Sequence, residues 1–174
     1  MTKILEDLDG WAEAFEAGWL AHYKESGGFN WKSYNRPKNS EAPSGKGIDL
    51  SQSRLALIST AGGYLRDSQE PFDAENDLGD YTIRLFPSST PFDAIDYAHT
   101  HYDQTAVRTD PQVLLPLRHL EAKVEAGEIG ELAPSVISFM GYQPDVRRAV
   151  NEMIPAIVEA AKAEKIDGAL LVPA

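Results

Sequence analysis

Two histidines and an aspartate fall at alternate positions of AHTHYD (98–103), as His99, His101 and Asp103. In an extended segment residues i and i+2 project to the same side, so the two imidazoles and the carboxylate would line one row. Such a set of nitrogen and oxygen ligands suits zinc, iron or manganese, and the imidazoles alone would also suit an anionic substrate. The competing reading is a pair of imidazoles that bond to backbone or carboxylates and fix a loop. Tyr102 belongs to the same short stretch. In STAGG (59–63), Ser59, Thr60 and Gly62 follow a strand, and small residues there let backbone N–H groups approach an anion or a carbonyl. A plain tight turn explains the same residues. Arg84 interrupts an apolar run; its guanidinium could clamp the carboxylate of an amino-acid-like substrate, or pair with one of the many acidic side chains. In SFMGYQPD (138–145), a strand opens into Gly141, which permits close backbone approach, and Asp145 is placed to cap a helix. Neither a dinucleotide fingerprint nor a Gly-x-Ser-x-Gly elbow occurs.

These residues need elements to hold them. Leu5, Leu8, Trp11, Phe15, Trp19 and Tyr23 recur in steps of three and four, which predicts an amphipathic helix from about residue 4 to 24. A polar arm rich in Gly and Pro follows, and its Phe29, Trp31 and Tyr34 predict a segment that packs over a surface or a partner. RLALIST (54–60), DYTIRLF (80–86), SVISFMG (135–141) and ALLVPA (169–174) read as strands, and IDYAHTHYD (95–103) as a further extended segment. LPLRHLEAKVEAGEIG (115–130) reads as a helix closing at Gly127, and residues 145–165 as a long helix kinked at Pro155. The last strand, helix and strand have the length of a parallel crossover. The expected fold is therefore α/β: a single domain with a largely parallel sheet flanked by helices, in Rossmann-like or flavodoxin-like layering, preceded by an N-terminal helix. The expected division is an arm over residues 1–50 and an α/β unit over 51–174.

Composition narrows the function classes. Acidic residues outnumber basic ones by 27 to 16, giving a net charge of −11, so a nucleic acid would be repelled. The absence of cysteine removes disulfides, thiolate metal sites and a thiol nucleophile from these residues. No apolar run is long enough to span a bilayer, and the acidic, amphipathic start is unlike a signal peptide. Cytoplasmic residence and no membrane partner are expected.

Taken in order, ALISTAGG (56–63), QEPFD (69–73), GDYTIRLFP (79–87), AHTHYD (98–103), VLLPLRHLEAKVEAGEIGELAP (113–134), SFMGYQPD (138–145) and DGALLVPA (167–174) carry a likeness. The chain resembles the selenoprotein B-type subunits of the glycine, sarcosine, betaine and D-proline reductases, in the short D-proline-reductase-like branch. The resemblance covers roughly residues 54–174. It implies that DGALLVPA leads into a redox site, where a selenocysteine or cysteine attacks the substrate in a reductive cleavage. A low-pKa chalcogen suits that step at neutral pH, and dithiols or a thioredoxin-like partner restore it.

The resemblance places this nucleophile just beyond Ala174. It implies that Ser59, Thr60, Gly62, Arg84, His99, His101, Tyr102 and Gly141 line a pocket for a small amine or amino-acid-type substrate. A reading frame ended at a selenocysteine codon, a split or processed protein, and a naturally short form are the three expectations for the missing nucleophile. Two other functions are open on the residues alone: a metal-dependent enzyme built on His99, His101 and Asp103, and a non-catalytic assembly subunit docking through the first helix and arm. An uncovered ALLVPA edge would favour a homo-oligomer or a complementary chain.

Overall fold

The structure, a computed structural model, describes residues 4–42, 47–99 and 102–174. RLALIS folds as β1 (Arg54–Ser59), in which every residue after Arg54 is buried. So apolar a strand is stable only when partners cover it on all sides. β7 (Gly168–Val172) runs parallel along its length from Leu55 to Ser59. The other edge is shared in succession by β5 (Glu131–Leu132) and β6 (Ser135–Ser138), also parallel. Pro134 lies between those two strands; lacking an N–H, it cannot continue the ladder, and the register with β1 steps forward by two residues there. β3 (Arg84–Pro87) pairs antiparallel on the outer side of β6. A separate antiparallel pair, β2 (Gly63–Leu65) with β4 (Ile95–Tyr97), stands just past the carboxyl end of β1.

The α/β expectation holds: a mostly parallel sheet, flanking helices and a helix at the N-terminal side. α4 (Leu117–Glu125) buries Leu117 and Leu120 in a cluster with Leu55, Leu57, Phe86 and Val136. Each such side chain contributes about 1.5–3 kcal/mol on leaving water. The helix closes as expected at Gly127, which takes a left-handed φ of 73°. Asp145 caps α5 (Val146–Arg148), its carboxylate accepting the Arg147 N–H at 3.0 Å. The expected kink at Pro155 takes a definite form. A π turn over Ala149–Met153 joins α5 to α6 (Ile154–Ala163), and the wider turn accommodates the proline ring and its missing N–H. Among the described residues no helix is long and apolar enough to cross a membrane.

The first helical stretch is also built around a π turn, Glu16–Leu20, between α1 (Leu8–Phe15) and α2 (Ala21–Ser26). Trp11, Phe15 and Trp19 are buried and stacked, at 4.9 and 5.5 Å between successive ring centres. The arm folds back so that Phe29 and Trp31 lie 5.8 and 5.4 Å from Trp19. The surface this arm covers is the chain's own first helix. Tyr34 donates its hydroxyl to the Pro144 carbonyl at 3.1 Å, and Glu16 pairs with Arg147, which together seat this unit beside α5.

Two sequence expectations need correction. The 80–86 strand begins only at Arg84 and runs on to Pro87, because Asp80 turns back the preceding backbone by accepting the N–H groups of Asp73 and Thr82. The extended segment over 95–103 stops at Tyr97; Asp103 instead accepts the Thr105 N–H and starts α3 (Thr105–Thr109). The expected parallel crossover is present: β6 and β7 both run parallel to β1, which lies between them.

Candidate functional site

The connections leave β1 in opposite directions, to β6 on one side and then across to β7 on the other. In open α/β sheets such a switch point leaves a crevice at the carboxyl ends of the strands, where ligands bind. Three chain segments meet there. Thr60 follows β1, its N–H donating to Val172 O at 3.1 Å and its hydroxyl oxygen accepting the Ala174 N–H at 2.8 Å. Gly141 follows β6. A side chain on Gly141 would begin 3.3 Å from both His99 Nε2 and Thr60 Oγ1, so an imidazole and a hydroxyl stand close over this glycine.

His99 is buried to 6% exposure. Its position depends on Gln104, whose side-chain amide donates to the carbonyls of His99 and Tyr97 at 2.6 and 3.3 Å. Gly62 receives the Ala98 N–H on its carbonyl and donates its own N–H to Phe139 O, linking the histidine loop to the end of β6. The Tyr102 ring lies 5.1 Å from that of His99, and its hydroxyl donates to Ala61 O at 3.1 Å. Burial pushes the Tyr102 phenol up to about 12, so it stays a neutral donor at ordinary pH. Ser59 is enclosed and structural: its hydroxyl donates to Leu114 O and accepts the Ala61 N–H.

Thr60, Gly62, His99, Tyr102 and Gly141 are thus brought together. Arg84 is occupied otherwise, donating to Glu70 O at 2.9 Å and to Thr82 Oγ1 at 2.8 Å, with its guanidinium 4.3 Å over the Phe72 ring. His101 lies outside the described residues. Among the described residues the strand stops at Tyr97, and no group of three or more metal-binding side chains occurs. Gln104 was missed from sequence; a glutamine five residues from its acceptor carries no spacing signal.

The loop that holds Arg84 also fixes a pH response. Burial alone would raise the Asp80 carboxyl, but hydrogen bonds from the Thr82 hydroxyl and the Asp73 and Thr82 N–H groups, with the Arg84 charge, hold it below its ordinary value. A lowered folded-state pKa stabilises above the unfolded value of about 4 and is lost as pH falls through the folded one. Asp80→Asn is therefore expected to destabilise the chain at pH 7 and to flatten its acid-side stability loss below about pH 4. Urea melts at the two pH values check this; parallel profiles for the two proteins would contradict it.

With this geometry in view, comparison with known proteins is informative. The family model described as Glycine/sarcosine/betaine reductase selenoprotein B matches residues 28–174. The chain belongs to this family. The match reaches back into the arm, beyond the blocks that carry the likeness in the sequence. The chain is also 28% identical over 123 residues to the D-proline reductase subunit gamma of Acetoanaerobium sticklandii, an alignment covering 71% of this chain and 49% of that protein. The chain spans about half the length of this curated relative. No solved structure matches it. At this crevice stand the buried His99, the Thr60 hydroxyl and the neutral Tyr102 phenol. The 174 residues include no cysteine or selenocysteine.

Proposed function

We propose that this chain forms the substrate-pocket part of a reductase that cleaves a small amine or amino-acid-type substrate reductively. The observation that carries the reading is the meeting of Thr60, His99, Gly141 and the Ala174 backbone at one crevice in a member of this family. On this reading a cysteine or selenocysteine from outside these residues sits beside Ala174. A chalcogenolate there attacks the substrate carbon, so that a carbon–chalcogen bond forms as the carbon–nitrogen bond breaks and the amine leaves with a proton. One thiolate of a dithiol then attacks the chalcogen, and the carbon departs with a proton as C–H. The second thiol displaces the chalcogenolate, leaving the dithiol as a disulfide. Within this chain, Thr60 positions the backbone at 174 and His99 handles the proton of the departing amine.

The exposed strand β7 supports a complementary polypeptide as the source of that residue. Leu170 and Leu171 point to opposite faces, and both are exposed, Leu171 to 67%. Among the described residues β7 pairs with β1 alone, so its outer edge offers a parallel strand a place to add.

The test isolates the chain from its native source with whatever polypeptides accompany it. Glycine, sarcosine, betaine and D-proline are then assayed with a dithiol as reductant. We expect cleavage of one of them, abolished by alkylation of a cysteine or selenocysteine. His99→Gln should lower kcat/KM by about a hundredfold, in line with the loss of a general acid, with circular dichroism unchanged. Full activity in His99→Gln, or cleavage insensitive to alkylation, would sink the proposal.

A further inference from the structure

A second polar cavity, away from this crevice, has features that packing alone does not explain. Arg66 follows β2, and its N–H donates to Ala94 O at 3.0 Å, which sets it beside β4. Arg108 projects from α3, fixed by Gln104 Oε1, which accepts from its Nε and Nη2 at 3.1 and 2.7 Å. The two guanidinium groups approach opposite oxygens of one carboxylate, Asp96, at 3.8 and 3.6 Å. Both distances exceed a hydrogen bond. Asp96 Oδ1 is turned instead to the Tyr97 N–H, which donates to it at 2.9 Å.

Both arginines line a cavity of about 340 Å³, within the size range of small-molecule sites. Its wall includes Tyr97. Tyr97 is 8% exposed, and its hydroxyl is buried with no hydrogen-bond partner. Buried hydroxyls are nearly always satisfied, and the exceptions call for a missing partner. The rest of the lining is largely apolar, with Phe92, Ile95, Val107 and Pro111.

We propose that this cavity binds a small monocarboxylate with a short apolar tail. The carboxylate bridges Arg66 and Arg108, as planar guanidinium groups favour, and accepts a hydrogen bond from the Tyr97 hydroxyl. The tail lies against Phe92 and Val107. Asp93 on the wall and Asp96 beside it already balance the charge of the two arginines, so a dianion is disfavoured more strongly than a monoanion. The site uses none of Thr60, His99 or Gly141, and shares with the reductase reading only Gln104, which anchors Arg108 and also holds the His99 carbonyl.

Butyrate is the probe and inorganic phosphate the contrast, each titrated calorimetrically into the whole chain. We expect saturable 1:1 binding of butyrate, at least tenfold tighter than phosphate. Arg66→Gln and Arg108→Gln, singly, should each weaken butyrate by about tenfold, as loss of a charge-assisted hydrogen bond does. Tyr97→Phe separates a ligand-facing hydroxyl from a merely orphaned one: affinity should fall several-fold, whereas an orphan would leave it unchanged. The proposal is overturned if butyrate does not saturate, if phosphate binds as tightly, or if both arginine variants bind like the unaltered chain. Circular dichroism on each variant confirms that the comparison is between folded proteins.

Discussion

Trp19→Ala is expected to lower the unfolding free energy by about 3–5 kcal/mol, the range for emptying a large aromatic position in a core. Trp19 is fully buried. Its ring stacks on Phe15, Tyr23 and Phe29, and meets Trp31 and Tyr34 at steeper angles. Removing it therefore leaves two losses. The first is the cavity, which the stacked rings on a continuous helix cannot close. The second is the arm, since Phe29 and Trp31 are already half-exposed and lean on this indole. Trp19→Phe should cost less than Trp19→Ala by at least half. It retains most of the ring contact and also removes an indole N–H that has no hydrogen-bond partner, a group expensive to bury. Urea denaturation of the three proteins measures the series. A Trp19→Ala loss below about 1 kcal/mol would mean that the aromatic array does not support the fold.

Gly62→Ala has the second largest expected effect, about 2–4 kcal/mol, and it bears on the site as well as on stability. Gly62 takes a φ of 65°, a conformation that costs an L-residue about 1–2 kcal/mol. The added methyl would also begin 2.7 Å from Met140 Sδ and 3.2 Å from both His99 N and His99 Cβ. Met140 is itself buried, so it has little room to withdraw, and the histidine backbone must give. The control is Gly127→Ala, where φ is 73° but nothing lies within 4 Å of the new methyl. It should cost only the conformational part. The difference between the two variants isolates the crowding around His99. Equal losses would show that Met140 yields freely and that Gly62 does not hold the site.

How much of this could be read from the residues follows from the range of the forces involved. RLALIS and SVIS announce themselves because a buried parallel strand must be largely apolar, and GALLV by an apolar run that nonetheless stays exposed on β7. Gly127 and Asp145 are legible because helix ends are satisfied by neighbours a few positions away. The aromatic steps of the first helix predict its buried face, and the arm's aromatics predict that it packs on something. Failure begins where a carbonyl or carboxylate from elsewhere takes over the backbone. Asp80 shortens the strand before Arg84, and Asp103 ends the extended reading of 98–103. His99 entered the sequence reading as half of an alternating pair. It keeps its place in the site for a different reason, the Gln104 amide behind it. Arg66 and Arg108 were invisible, since they meet around Asp96 only after β2, β4 and α3 have come together.

The central position of β1 also bears on how the chain reaches this fold. Its three parallel partners begin at Glu131, Ser135 and Gly168, far downstream of a strand that starts at Arg54. During synthesis the most buried strand of the sheet therefore emerges long before either of its edges can be paired. Its contacts are of high sequence separation, which makes for slow folding and prolonged exposure of a sticky segment. The second edge closes only when β7 is made, so a ribosome paused before Gly168 carries a nascent chain that a chaperone must shield.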